Sequence, residues 1–189
     1  MKKLFLILFF CGFCFGEIFE DCTKTLKNII HNPSKAPTNE ILQNTKAVLI
    51  FPNFKSGGLI FGAKFGNGLI AIKSNGDWEY KAVDIGGANV GFQIGFSVKD
   101  LVIFIHNENL INQILEQNLN FSGDSSSVFG TKSKGGESIN LTDEDLYTFS
   151  SAKGLFAGVN LGGTSIKLSK NQDFSLENSY KLTEILSSF

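Results

Sequence analysis

Ile18, Cys22, Leu26 and Ile29 recur at helical spacing, with Phe19 and Ile30 beside them and polar residues filling the intervals. This is the period of an amphipathic helix, and it predicts helical structure from Glu17 to about Thr45. Pro33 and Pro37 interrupt the run, leaving Ile41 and Leu42 for a second short helix. Lys24, Lys27 and Lys35 fall on or near the polar side. From Lys46 the period changes to that of strands. Ala47–Phe51 is a compact apolar run stopped by Pro52. Gly58–Phe65, Gly68–Lys73, Trp78–Ile85, Ala88–Val98 and Leu101–His106 follow, separated by turn residues such as Asn75-Gly76-Asp77. Glu108–Gln117 returns to helical spacing through Leu110, Ile111, Ile114 and Leu115. Phe121–Phe129 reads as a strand or an irregular segment, and Ser133–Glu137 as a polar, glycine-rich loop. Thr142–Asp145 reads either as a capped helix start or as a turn into the strand Leu146–Phe149. Gly154–Leu161 and Thr164–Leu168 complete the strands, and Leu182, Ile185, Leu186 and Phe189 predict a short closing helix.

Glycine is patterned within these strands. Gly58, Gly62 and Gly66 share a face with Ile60 and Lys64, since side chains alternate along a strand. Gly87, Gly91 and Gly95 share one with Asn89 and Gln93, opposite the apolar Ala88, Val90, Phe92, Ile94 and Phe96. Gly154, Gly158 and Gly162 share one with Phe156 and Asn160. Laid on Gly154–Phe174 without a gap, Gly58–Trp78 matches at Gly58, Leu59, Gly62, Gly66, Ile70, Asn75 and Asp77, a weak internal echo. A glycine face serves either sharp barrel-like curvature or a shallow groove. The groove here would be edged by Lys64, Gln93 and Asn160.

Lys2 and Lys3 followed by the apolar run Leu4–Phe15 and small residues at Cys14 and Gly16 have the anatomy of a secretory signal peptide cleaved after Gly16. The run is short for a membrane span, which needs about 20 residues. Export to the periplasm is therefore expected, with a single domain from residue 17 to 189, helical over 17–45 and β-rich over 46–170. Cleavage leaves Cys22 as the one cysteine, so no disulfide forms within the chain. It is read as a small buried residue on the first helix, with pairing to another chain as the alternative. Losing Lys2 and Lys3 takes 17 basic residues to 15 against 18 acidic ones, a formal net charge of −3. That balance gives no reason to expect a nucleic-acid partner. Nineteen Phe beside one Trp and three Tyr, with twenty Gly, fit a β core with close backbone packing.

No catalytic constellation assembles. There is no Gly-x-Ser-x-Gly elbow, and Gly57-Gly58 and Lys134-Gly135-Gly136 lack the Gly-Lys-Ser/Thr ending of a phosphate loop. His31 and His106, the two histidines, have no metal-ligand spacing around them. Asp124 before Ser125–Ser127 lacks a plausible base and reads as a turn. Asp143, Glu144 and Asp145 are ordinary partners of a helix start. No enzyme activity, cofactor or metal is expected.

The ordered blocks Ile50-Phe51-Pro52, Gly57-Gly58, Gly62, Gly66, Gly68, Trp78, Gly86-Gly87, Gly91, Gln93 and Gly95 resemble the SYLF domain family, in its exported bacterial branch. The resemblance continues through Gly123-Asp124-Ser125, Lys153–Gly158, Asn178 and Tyr180, from about Ala47 to Tyr180. Departures lie at Glu79-Tyr80-Lys81, Gly130-Thr131 and Ser179-Tyr180-Lys181, and they put a particular ligand in doubt more than the fold. The resemblance implies an α+β, β-rich domain: a mainly antiparallel barrel-like or sandwich sheet with an N-terminal amphipathic helix, a central helix and a short C-terminal helix. It also implies phospholipid or phosphoinositide binding, as in eukaryotic members, with the N-terminal helix Ile18–Ile30 as a membrane contact or, alternatively, a helix packed on the sheet. The expected function is thus an exported lipid-binding or membrane-associated module. Its candidate contacts are Ile18, Phe19, Lys24, Lys27, Lys55, Lys64, Gln93 and Asn160. The alternative is a cell-envelope structural or protein-interaction domain without lipid specificity. Actin, with which eukaryotic members are associated, is not an expected partner of an exported chain.

Overall fold

The computed structural model describes residues 18–33, 36–58, 61–90, 95–116, 118–121, 126–127, 145–151 and 159–189. Its centre is a curled antiparallel sheet, built outward from one tight hairpin. Asn75 and Gly76 both take positive φ, 51° and 89°, as a two-residue hairpin turn demands. They join β2 (Phe61–Ser74) to β3 (Asp77–Val90) in unbroken register from Phe61↔Val90 to Ser74↔Asp77. On the other side of β2 lies β1 (Ala47–Gly58), and beyond it β4 (Gly95–Ile105) and β7 (Leu146–Ser150). Beyond β3 come β9 (Thr164–Leu168) and β5 (Leu119–Phe121), giving the order β5-β9-β3-β2-β1-β4-β7. β6 (Ser126–Ser127) and β8 (Val159–Asn160) form a separate two-stranded ladder.

The four strands β1 to β4 are longer than the sequence pattern predicts. β2 runs straight through Gly66-Asn67, which read as a break between Gly58–Phe65 and Gly68–Lys73. Gly68 belongs inside the strand because a Cβ there would overlap the Ile50 carbonyl and come 2.8 Å from the Phe51 ring. β1 continues past Pro52, which sits in a bulge with Asn53 at φ 55°, where the registers to β2 and β4 both shift. At a bulge, proline's missing N–H removes no ladder bond. The stretch Ala88–Val98, read as one strand, is divided between the end of β3 and the start of β4, which are not neighbours in the sheet. β4 in turn passes through Lys99-Asp100, which had read as a gap between two strands. At one pair of the internal echo the conformations differ: Gly66 lies inside β2, whereas its counterpart Gly162 stands in a turn with Gly163 at φ 70°; residues 154–158 of the later block lie outside the described residues.

Both faces of the sheet are covered, so it carries two cores. On the concave face Leu49, Phe51, Phe54, Ile70, Ile85, Ile103 and Ile166 pack with Leu110, Ile111 and Ile114 of α3 (Glu108–Glu116). On the convex face Val48, Ile50, Leu69, Ala71, Val102 and Phe104 pack under α1 (Ile18–Ile30) and α4 (Tyr180–Leu186). α1 meets the sheet through Phe19, Cys22, Leu26 and Ile29, each buried. Full burial of such a side chain is worth about 1.5–3 kcal/mol. That is ample reason for the helix to dock. Between α1 and β1, α2 (Asn39–Gln43) is capped by Thr38, whose side chain accepts from the Ile41 N–H. The C-terminal segment is tied in by two side chains. Gln172 accepts from the Ala82 N–H at 2.9 Å and donates to the Ala82 carbonyl at 2.8 Å, pairing with β3 as a strand would. The Tyr80 hydroxyl meets Thr183 of α4 at 2.7 Å.

Candidate functional site

α1 covers only part of the convex face. Beyond the bulge in β1, directly opposed residues form two rows across β3, β2, β1 and β4: Gly86–Phe65–Lys55–Val98 and Ala88–Ala63–Gly57–Phe96. Period-two alternation puts all eight on the convex side, in line with Leu69 and Val102 further along. Phe65 is 50 % exposed, Phe96 69 % and Val98 48 %. A Cβ on Gly86 would meet nothing within 4 Å, so the flank of Phe65 is open. The Lys55 ammonium lies 5.6 Å from the centre of the Phe65 ring, a cation–π arrangement. Single exposed apolar residues are ordinary, whereas a large contiguous patch marks a contact surface; here Phe96 and Val98 are adjacent on one face of β4, and Phe65 stands two strands away across Lys55.

A polar belt separates these rows from the core beneath α1. Asn67 donates to Asp84 at 2.7 Å, and the Asn53 N–H donates to Asp100 at 3.3 Å. Both carboxylates are half-buried on the convex side.

The candidate contact residues are dispersed by this architecture. Lys55 lies in the exposed rows. Lys24 and Lys27 are exposed on the solvent side of α1, and Ile18 is half-buried at its start. Phe19 is fully buried, its ring edge-on to Tyr80 at 5.2 Å and Phe174 at 5.6 Å. With its apolar side on the sheet, α1 is the packed helix of the two arrangements considered. Lys64 points to the concave face, 4 % exposed, and donates to the Gly162 carbonyl at 3.0 Å. Burial holds its pKa below the ordinary lysine value, and the charge of Lys99 lowers it further; burial also lowers Lys99. The backbone of Asn160 pairs with Ser126, while Gln93 lies outside the described residues. The structure therefore does not bring Lys55 and Lys64 together: they stand on opposite faces.

The glycines next to Lys64 are closed by packing. Gly66 abuts Ile85 and Phe54, and Gly87 abuts Gly163 and Thr164. At these positions glycine serves close approach, the curvature reading, and not an open groove. Phe65, Phe96 and Val98 were missing from the sequence candidates. Their alternation was visible, but not how far along the face α1 would reach.

A concavity of about 590 Å³ is lined by Thr38, Glu40, Ile41, Asn44, Lys46, His106 and Tyr147. Several of its polar groups are engaged. His106 Nε2 pairs with the Ile41 carbonyl at 2.9 Å, Asn44 donates to the Glu40 carbonyl, and Lys46 bridges Glu108 at 2.8 Å. His31 is exposed, with Nδ1 against the Lys27 carbonyl. Among the described residues no three of His, Cys, Asp and Glu are grouped to hold a metal, and no helix is long and apolar enough to cross a membrane.

A curled antiparallel sheet jacketed by short helices, with apolar residues left exposed at one end of a face, defines a β-rich α+β domain. The family described as "Ysc84: Las17-binding protein actin regulator" matches residues 86–188, and the chain belongs to this SYLF family. It is 26 % identical over 163 residues to the SH3 domain-containing YSC84-like protein 1 of Xenopus laevis, covering 82 % of this chain and 48 % of that protein. It is 30 % identical over 144 residues to an SH3 domain-containing protein of Schizosaccharomyces pombe, covering 72 % and 33 %. Protein YSC84 of Saccharomyces cerevisiae is 27 % identical over 139 residues, covering 67 % and 28 %. The chain thus spans half or less of the length of these relatives. No solved structure matches it.

Proposed function

We propose that the chain is an exported, non-catalytic module that attaches to phospholipid membranes through the open end of its convex sheet face. The observation that carries this reading is the set Phe65, Phe96 and Val98, each about half exposed or more on one face with Lys55 among them. A sheet surface of this kind gains from leaving water, at about 25 cal/mol per Å² of apolar area buried. Aromatic rings beside a lysine suit the boundary between acyl chains and headgroups. Export rests on the signal-peptide pattern of residues 1–16, and the non-catalytic reading on the relatives, which are described as SH3 domain-containing proteins and an actin regulator. Flotation with vesicles made from a native lipid extract tests the reading. The protein is expected to rise with the vesicles, and protein left in the dense fraction contradicts it.

A second reading is a protein-binding module of the cell envelope. It is favoured by the description of the family, which names a protein ligand, Las17, and actin regulation. Binding that survives complete removal of lipid would favour this reading over the first.

A further inference from the structure

The exposed rows carry their own statement about the lipid. Past the β1 bulge, the described convex-face positions are Lys55 and Gly57 on β1, Ala63, Phe65 and Asn67 on β2, Asp84, Gly86 and Ala88 on β3, and Phe96, Val98 and Asp100 on β4. One cation, Lys55, stands within the apolar rows. Two carboxylates, Asp84 and Asp100, stand in the belt directly behind, held in place by Asn67 and the Asn53 N–H. On α1, Lys24 and Lys27 are matched by Glu20 and Asp21. Lys64 and Lys99 belong to the concave face. The surface is thus apolar at its tip, positive at one point there, and negative one row inward.

A surface drawn to an anionic membrane gathers several cations, each worth on the order of fivefold in affinity. Here the two carboxylates oppose the single lysine. The same layout complements a headgroup that carries both signs. With the phenyl rings among the acyl chains, Lys55 meets phosphate, and Asp84 and Asp100 are set back at the depth of the outward-pointing ammonium. We propose that this face binds the surface of a neutral, zwitterionic phospholipid bilayer, and that anionic lipid is not required. The proposal rests on the lipid reading above, and it fixes the class of lipid.

The test is flotation of the purified chain with vesicles of phosphatidylcholine alone and with vesicles in which about a third is phosphatidylglycerol, each at low and high sodium chloride. Binding to the two vesicle types is expected to agree within about twofold, and to change by no more than about twofold with salt, because screening acts on charge and not on apolar burial. The double change Phe65→Ser with Phe96→Ser is expected to reduce binding to both by about tenfold or more, since each ring forfeits its transfer out of water. Asp84→Asn with Asp100→Asn, which keeps the shape of both side chains, is expected to shift preference toward the vesicles with phosphatidylglycerol. Binding that appears only with phosphatidylglycerol, or collapses with salt, overturns the proposal and leaves the lipid reading standing. Binding to neither vesicle type overturns both.

Discussion

Gly87 lies so close to Gly163 that a Cβ on it would overlap the Gly163 carbonyl oxygen and come 2.7 Å from the Thr164 Cα. The same carbonyl accepts from the Ala88 N–H at 3.2 Å, holding the turn before β9 against β3. One residue earlier, Gly86 faces the open side with nothing within 4 Å of a Cβ. Gly87→Ala is therefore expected to destabilise the fold by about 2 kcal/mol or more, since backbone has to shift. Gly86→Ala is expected to stay within about 0.5 kcal/mol of the parent. Urea denaturation of the two variants checks both.

The helix α1 invites a similar contrast. Phe19 is fully buried between α1, Tyr80 and Phe174, so Phe19→Ala is expected to cost about 3–5 kcal/mol. Lys24→Ala and Lys27→Ala, on the solvent side, are expected to change stability by less than about 0.5 kcal/mol. Unfolding midpoints in urea measure all three. A Phe19→Ala variant as stable as the parent would mean that α1 is not docked as described.

These helices were legible in the sequence because an amphipathic period survives without knowledge of its partner. α3, α4 and β9 follow their patterns closely, and the Asn75-Gly76 turn announces its hairpin. Strand length was less legible, because Gly66-Asn67, just ahead of Gly68, looks like punctuation when only the chain is seen, whereas both glycines lie inside β2. Their reason for being glycine lies on neighbouring strands, in Phe54, Ile50 and Phe51. The faces of Lys55 and Lys64 were hidden for a related reason. The Asn53 bulge resets the phase of β1, and no local pattern around Pro52 gives the direction of that reset. The open rows were hidden because alternation tells which side a residue takes, not what covers that side. Phe96 and Phe104 share the convex face of β4; one is 69 % exposed and the other fully buried.

Cys22 is fully buried against the sheet, its thiol directed at the Ile50 carbonyl. Burial pushes the thiol far above its ordinary range, so thiolate is negligible at neutral pH. In the chain without residues 1–16, an aromatic disulfide reagent is expected to react with Cys22 only along the urea unfolding transition. Prompt reaction of one thiol in the native protein would contradict this placement.

Lys64 makes stability depend on pH in a direction that can be worked out. Its folded pKa lies below the ordinary 10.5, so between the two values the unfolded chain binds the proton and the folded one does not. Stability then rises with pH across that window. Tyr80, raised chiefly by burial from 10.0, acts oppositely at higher pH, where the unfolded tyrosine ionises first. Calorimetry is expected to show the melting temperature of the parent, taken relative to that of Lys64→Met, rising as pH climbs toward the ordinary lysine value of 10.5. Lys99, lowered by burial in the same sense, contributes to the slope that remains in that variant.

The central claim is that the open end of the convex sheet face, and not the solvent side of α1, meets the membrane. Phe96→Trp and Lys24→Trp place a reporter on each. On addition of phosphatidylcholine vesicles, the fluorescence at position 96 is expected to shift to the blue and to be quenched by brominated acyl chains, while position 24 stays unchanged. The parent protein gives the background of Trp78, which is 7 % exposed. Quenching at position 24 with none at position 96 would contradict the account.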